Sequence, residues 1–115
     1  MIPVTADSIR SVYVLLRQFP PFCRWSLPPP GELTFYVVHF KSEHAEYDPN
    51  KKTVRVSTAR VSTFLSLVAA VAHEMVHVRQ DVAGRYPVKD MHNQDFKKYV
   101  KQICKHFPFL DPLNL

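Results

Sequence analysis

Residues 62–82 of the chain read STFLSLVAAVAHEMVHVRQDV. Apolar residues occupy almost every side of this segment when it is drawn as a helix, which predicts a central, buried helix. Ser62 or Thr63 is the predicted N-cap, because a hydroxyl side chain can accept hydrogen bonds from the first backbone N–H groups. Gly84 can serve as the C-cap or close the turn that follows. We therefore expect the rest of the chain to pack around this helix.

The same segment contains His73-Glu74-Met75-Val76-His77, which matches the pattern HExxH. Residues four positions apart share a helix face, so His73 and His77 project side by side and can bind one Zn²⁺. Glu74 lies at the edge of that face, where it can act as a general base on a water without binding the metal. Burying such residues in an apolar helix is costly unless they are paired or bind a metal. The motif therefore predicts a zinc site.

A third zinc ligand must come from outside the motif. Gln80 and Ala83 stand where the extended pattern HExxHxxGxxH has glycine and histidine, so the chain is not a metzincin. His92 is favoured, because it begins the next predicted helix and a helical hairpin could fold it over the metal. Asp81 is better suited to hold an imidazole N–H, or to stay solvated. The acidic alternatives for the third ligand are Asp81, Asp90 and Asp95.

An amphipathic helix and a proline-rich loop precede this region. Apolar residues recur at helical spacing from Ile9 to Phe19, and Thr5 or Asp7 can cap the start. Pro20 and Pro21 end the helix, because proline has no N–H to continue the hydrogen-bond ladder. The following loop carries three apolar side chains that we expect against the core: Phe22, Trp25 and Leu27.

Three short segments then predict a small antiparallel sheet. Residues 33–40 are β-branched and aromatic, residues 44–48 can form a shorter strand, and residues 53–57 alternate apolar and polar side chains. Residues 48–52, DPNKK, have turn chemistry. After the central helix, a third helix is predicted to start near Asn93 and to end at Pro108, followed by an apolar tail that is expected to dock.

The segments HEMVHVRQ (73–80) and HNQDF (92–96) together resemble the SprT-like metallopeptidase domain, the zincin domain shared by bacterial SprT and the Spartan proteases. AEYDPNKKTVRVST (45–58) is similar to the strand–turn–strand of that family, so the resemblance covers residues 45–100. Asn93 stands where the family usually has glycine. The resemblance implies an α+β, zincin-like fold in one domain, residues 1–115, with a catalytic glutamate and three zinc ligands: Glu74, and His73, His77 and His92.

These expectations describe a zinc-dependent endopeptidase that acts on a protein or peptide substrate. Such an enzyme also needs an electrophile for the developing oxyanion, and the sequence leaves four candidates: Tyr86, His44, Arg79 and Tyr99. An extended substrate could pair with an edge of the sheet, supplied by residues 33–40 or 44–48. A domain that binds no metal is a further possibility.

The net charge of +5 leaves a different function open. Lysines lie on one side of the last predicted helix, and further basic residues cluster near the sheet turn: Lys97, Lys98, Lys101 and Lys105, and Lys51, Lys52, Arg55 and Arg60. Such clusters are ordinarily solvated faces, but they could contact nucleic acid. The alternative function is therefore a non-catalytic, zinc-stabilised binding module, associated with DNA through this surface.

Composition excludes several other classes. Gly31 and Gly84 are the two glycines among 115 residues, which excludes a P-loop or a dinucleotide-binding loop. Cys23 and Cys104 are too few for a disulfide scaffold and are expected as reduced thiols of a cytoplasmic protein. The first ten residues lack the pattern of a signal peptide, and no apolar run is long enough to span a membrane. We expect a monomer.

Overall fold

A computed structural model describes residues 4–39, 44–111 and 115. Its centre is the predicted HExxH helix, labelled α2, which spans Phe64–Val82. Thr63 is the N-cap: its side chain accepts a hydrogen bond from the Ser66 N–H, and the Ser66 side chain accepts one from the Thr63 N–H. After the helix, Gly84 adopts a φ of +73°, a left-handed conformation that favours glycine. The helix is buried as predicted except at its two ends, where Phe64, Leu65 and Val82 are exposed.

Three strands form the sheet: β1 (Thr34–Val38), β2 (Ala45–Asp48) and β3 (Thr53–Ser57). The predicted antiparallel sheet is wrong in one respect, because the sheet is mixed in the order β1-β3-β2. β2 and β3 are antiparallel across a tight turn, whereas β1 pairs with the other edge of β3 and runs parallel to it. β3 lies between the other two strands, and it is accordingly buried along most of its length. The predicted strand at 33–40 extends to Phe40, which lies outside the described residues.

Helix α1 spans Ala6–Arg17 and packs against both α2 and β1. Thr5 caps it, as one of the two predicted caps, and its side chain accepts a hydrogen bond from the Ser8 N–H. Phe19 lies beyond the end of the helix and is half exposed, so its predicted place in the apolar stripe is wrong. The loop that follows buries the three predicted side chains against the core: Phe22, Trp25 and Leu27.

Helix α3 spans Gln94–His106 and packs against α2. Asn93 is its N-cap and accepts a hydrogen bond from the Phe96 N–H, which confirms the predicted start. The tail docks in part, because Leu110 is buried while Phe109 is exposed, and residues 112–114 lie outside the described part of the chain. The four lysines of α3 are exposed: Lys97, Lys98, Lys101 and Lys105.

The architecture is therefore α+β, with α2 in contact with α1, β2, β3 and α3. Within residues 4–39, 44–111 and 115, no helix is long and apolar enough to cross a membrane. Because α3 packs against α2, His92, just before α3, comes close to His73 of the HExxH motif. The packing of α3 against α2 therefore positions the site.

Candidate metal centre

Three histidine rings meet where α2 and the start of α3 come together. His73 and His77 are one turn apart on α2, with ring centroids 5.2 Å apart. His92 arrives from the loop before α3, and its ring centroid lies 4.9 Å from that of His73 and 5.7 Å from that of His77. The Nε2 atoms of His73 and His92 are 3.2 Å apart. The structure thus brings together the three residues predicted as ligands, each offering one nitrogen within 4.8 Å of the others.

The three imidazole rings all pack against one aromatic side chain. Phe96, in the first turn of α3, is buried, and its ring centroid lies 4.9 Å from His73, 5.0 Å from His77 and 4.5 Å from His92. Its ring is nearly parallel to that of His77. Because close packing holds side chains in single rotamers, Phe96 restricts the orientation of all three imidazoles. The spacing from His92 to Phe96 in the sequence therefore places the Phe96 ring against the histidines.

Burial keeps two of the imidazoles uncharged. Loss of solvation, together with the neighbouring His77 and His92, lowers the pKa of His73 to about 3. Loss of solvation also lowers the pKa of His77 to about 4, against the opposing effect of its hydrogen bond to Gln80. Both rings are consequently neutral at pH 7, which is the state in which an imidazole nitrogen can bind a metal.

The fully buried Gln80 fixes the tautomer of His77. The Gln80 amide nitrogen donates to Oδ2 of Asp95 at 3.1 Å, so the amide oxygen faces His77, where it lies 2.9 Å from Nδ1. An amide oxygen can only accept, and Nδ1 must therefore carry the proton and leave the Nε2 lone pair available. Arg85 in turn contacts the other oxygen of Asp95, at 3.4 Å.

The predicted role of Asp81 as the partner of an imidazole is therefore wrong, because Gln80 takes that place. Asp81 instead accepts hydrogen bonds from the Tyr47 hydroxyl at 2.6 Å and from Lys52 Nζ at 2.5 Å, and so ties β2 to α2. Sequence reasoning missed Gln80, although it lies three residues after His77 as a polar residue on a buried helix face. Asp90 accepts from the His92 N–H, and none of the three acidic alternatives joins the histidine cluster: Asp81, Asp90 and Asp95.

Substitution of Gln80 tests this support of His77. We expect Gln80→Met, which keeps the length of the side chain but removes the acceptor, to weaken metal binding about 10- to 100-fold. A competition titration with a chelator of known zinc affinity measures the change. Gln18→Met, at an exposed position at the end of α1, is the matched control and should bind as the unmodified protein does. Equal zinc affinity of Gln80→Met and the control would contradict the assignment.

Glu74 lies beside the cluster. Its side chain is buried, and Oε2 is 3.8 Å from Nε2 of His73. It does not belong to the group of three nitrogens that could hold a metal. The carboxylate is therefore placed next to a nitrogen that could bind a metal and at the wall of the same cleft.

A cleft of about 630 Å³ opens over the three histidines. Residues of β2, α2 and the loop before α3 line it, among them Ala45, Glu74 and Tyr86. Two of the four predicted electrophiles also line it, His44 and Tyr86. Arg79 and Tyr99 do not, because Arg79 donates to the Tyr99 hydroxyl at 3.2 Å and to the Trp25 carbonyl at 2.7 Å.

Tyr86 connects the cleft to the sheet. Its hydroxyl donates to the Tyr47 carbonyl at 3.3 Å, and its ring centroid lies 6.0 Å from that of His77. Burial raises the pKa of Tyr86, so the hydroxyl keeps its proton at neutral pH. Of the two predicted substrate edges, β2 borders the cleft, and no residue of β1 lines it.

No family model, no curated protein and no solved structure matches this chain. The resemblance to the SprT-like domain accordingly stays a prediction that depends on three sequence segments and their spacing. What the structure contributes is the arrangement itself: three imidazoles that could hold a metal ion, a buried carboxylate beside them, and a cleft above them.

Proposed function

We propose that the chain is a zinc-dependent endopeptidase of the SprT-like type. The observation that carries the proposal is the buried Glu74 carboxylate, 3.8 Å from His73 in the wall of the cleft that the three histidines border. A purely structural metal site would not need a carboxylate that stays outside the ligand group. A site for hydrolysis needs one, because a proton must leave the attacking water.

The donor set fits zinc. Two nitrogens bound to one zinc ion at about 2.0–2.1 Å lie roughly 3.4 Å apart in a tetrahedral site, close to the spacing of His73 and His92. That spacing is 3.2 Å between Nε2 atoms. Among the described residues the group offers three candidate ligands, the number typical of catalytic zinc, whereas structural sites have four. When bound, zinc would polarise the scissile carbonyl and make water nucleophilic at neutral pH.

The residues of the chain supply the remaining steps. Glu74 would accept the proton of the attacking water and pass it to the leaving amine. Tyr86 keeps its proton and could donate a hydrogen bond to the developing oxyanion if its hydroxyl turned away from the Tyr47 carbonyl, and His44 is the second candidate for that role. Gln80 holds His77 in the tautomer that this arrangement requires.

The edge of β2 suits an extended substrate. The His44 carbonyl accepts a hydrogen bond from the Ser57 N–H. In an antiparallel pair, successive residues alternate between bonding to the partner strand and facing away from it. The backbone N–H and C=O groups of His44 and Glu46 therefore point towards β3, and those of Ala45 point outwards. A peptide could add to this edge as a further strand and pass over the histidines. The Tyr47 carbonyl also faces outwards and accepts from Tyr86, which would limit the pairing on that side.

Cleavage of an unfolded protein tests the proposal. We expect the zinc-loaded chain to fragment reduced, alkylated lactalbumin, and we expect EDTA to stop the reaction and added zinc to restore it, as followed by mass spectrometry. The alternative, a zinc-stabilised module that binds DNA through the lysines of α3, predicts no fragments but DNA binding that weakens steeply with salt. Absence of fragments at high concentrations of the zinc-loaded chain would contradict the peptidase.

A further inference from the structure

Apolar side chains of α2 and of the loop before α3 line part of the cleft, and this part is called its apolar wall. Leu65, Ala69 and Ala70 of α2 and Met91 of the loop before α3 contribute to it. Two of these side chains are unusually open to solvent for their type, since Leu65 is 51% and Met91 38% exposed. Exposed apolar side chains that border a concave site are typical of ligand-binding surfaces. Ala69 and Ala70 have small side chains, which leave room in the cleft for a further side chain.

A leucine of the chain itself lines this cleft. Leu115 belongs to the cleft lining and is packed, partly buried, against the core. The main chain of Leu115 also lies near the His73 imidazole. An aliphatic side chain in the cleft, with its main chain beside a candidate metal ligand, has the two features that a bound peptide residue would need at this place.

We infer that this apolar wall is a subsite for an aliphatic side chain of an extended peptide, and that Leu115 fills the subsite when no peptide is bound. The inference rests on the proposed function in so far as the ligand is a peptide. It adds the substrate class, because unfolded segments that carry leucine or a similar residue should bind best. Leu115 and the peptide compete for the subsite. The apparent affinity for the peptide is therefore reduced in proportion to the fraction of molecules in which the subsite is open.

Peptide binding tests the inference without turnover. Two fluorescent octapeptides that differ only in a central Leu or Asn are titrated against the zinc-loaded Glu74→Gln variant, and binding is followed by anisotropy. We expect the Leu peptide to bind about tenfold more tightly than the Asn peptide. Adding Leu115→Asn should tighten binding of the Leu peptide about three- to tenfold, since the competitor is weakened.

Two controls accompany this experiment. Leu115→Met keeps an apolar competitor, and Phe109→Ala removes an exposed apolar residue from the same tail, so neither should change the affinity by more than about twofold. Equal binding of the two peptides, or no effect of Leu115→Asn, would overturn the inference. Cleavage by the unmodified zinc-loaded chain is measured separately: if the Leu peptide binds preferentially but is not cut, the peptidase proposal fails while the subsite stands.

Discussion

Glu74→Gln is expected to lower kcat/KM for peptide hydrolysis by about 10²- to 10⁴-fold, the usual contribution of a general base. Glutamine has nearly the same shape as glutamate but cannot take a proton from water. Because Glu74 stands outside the group of three nitrogens, we expect the zinc affinity of the variant to be nearly unchanged. A fluorogenic peptide assay, with zinc content measured on the same samples, separates the two effects.

The matched control for this variant is Glu32→Gln. Glu32 lies in an exposed turn before β1 and contributes nothing to the cleft lining. Replacing Glu32 with glutamine changes the net charge by the same amount as Glu74→Gln, so an effect of charge alone would appear in both variants. If Glu74→Gln retained more than a tenth of the original kcat/KM at full zinc loading, Glu74 would not be the base.

The helices of this fold could be predicted well because their signals are local. Thr63 with Ser66, and Asn93 before Phe96, satisfy backbone N–H groups within one turn of the chain, and a sequence displays such caps directly. The HExxH motif likewise needs only the periodicity of one helix to place His73 beside His77. His92 could be added because few histidines stand near the start of the following helix.

The order of the strands could not be predicted in the same way. The alternation of residues 53–57 identifies a strand, but it does not tell which neighbours that strand has. A short turn makes β2 and β3 antiparallel, while the partner of β1 depends on where its apolar face meets α1. This is a contact between distant parts of the chain, and it produced the parallel pair that the sequence analysis missed.

Support of the site was harder to predict than its ligands. Gln80 and Asp81 are adjacent polar residues near the end of α2, and the sequence alone favoured the carboxylate as the partner of an imidazole. A helix turns by about 100° per residue, so the two side chains point to different neighbours. Gln80 faces α3 and its Asp95, whereas Asp81 faces Tyr47 of β2. The choice depends on which element packs on which side.

His77→Ala is expected to weaken zinc binding by about 10²- to 10³-fold. This follows if the binding free energy of a protein zinc site, roughly 10–16 kcal/mol, is shared equally among four ligands. The consequence for stability follows from linkage. At a zinc concentration 1,000 times the dissociation constant, the unmodified chain gains about 4.1 kcal/mol in free energy of unfolding. A 10³-fold weaker site gains only about 0.4 kcal/mol under the same conditions.

Denaturant unfolding with and without zinc measures this gain for each variant. The loss of a buried ring also leaves a cavity that destabilises the metal-free form, but this cost is present both with and without zinc and cancels in the difference. His106→Ala is the matched control, because His106 is exposed near the end of α3 and bonds to the Gln102 carbonyl. A full zinc-dependent gain in His77→Ala, or an equal loss in His106→Ala, would show that the metal binds elsewhere.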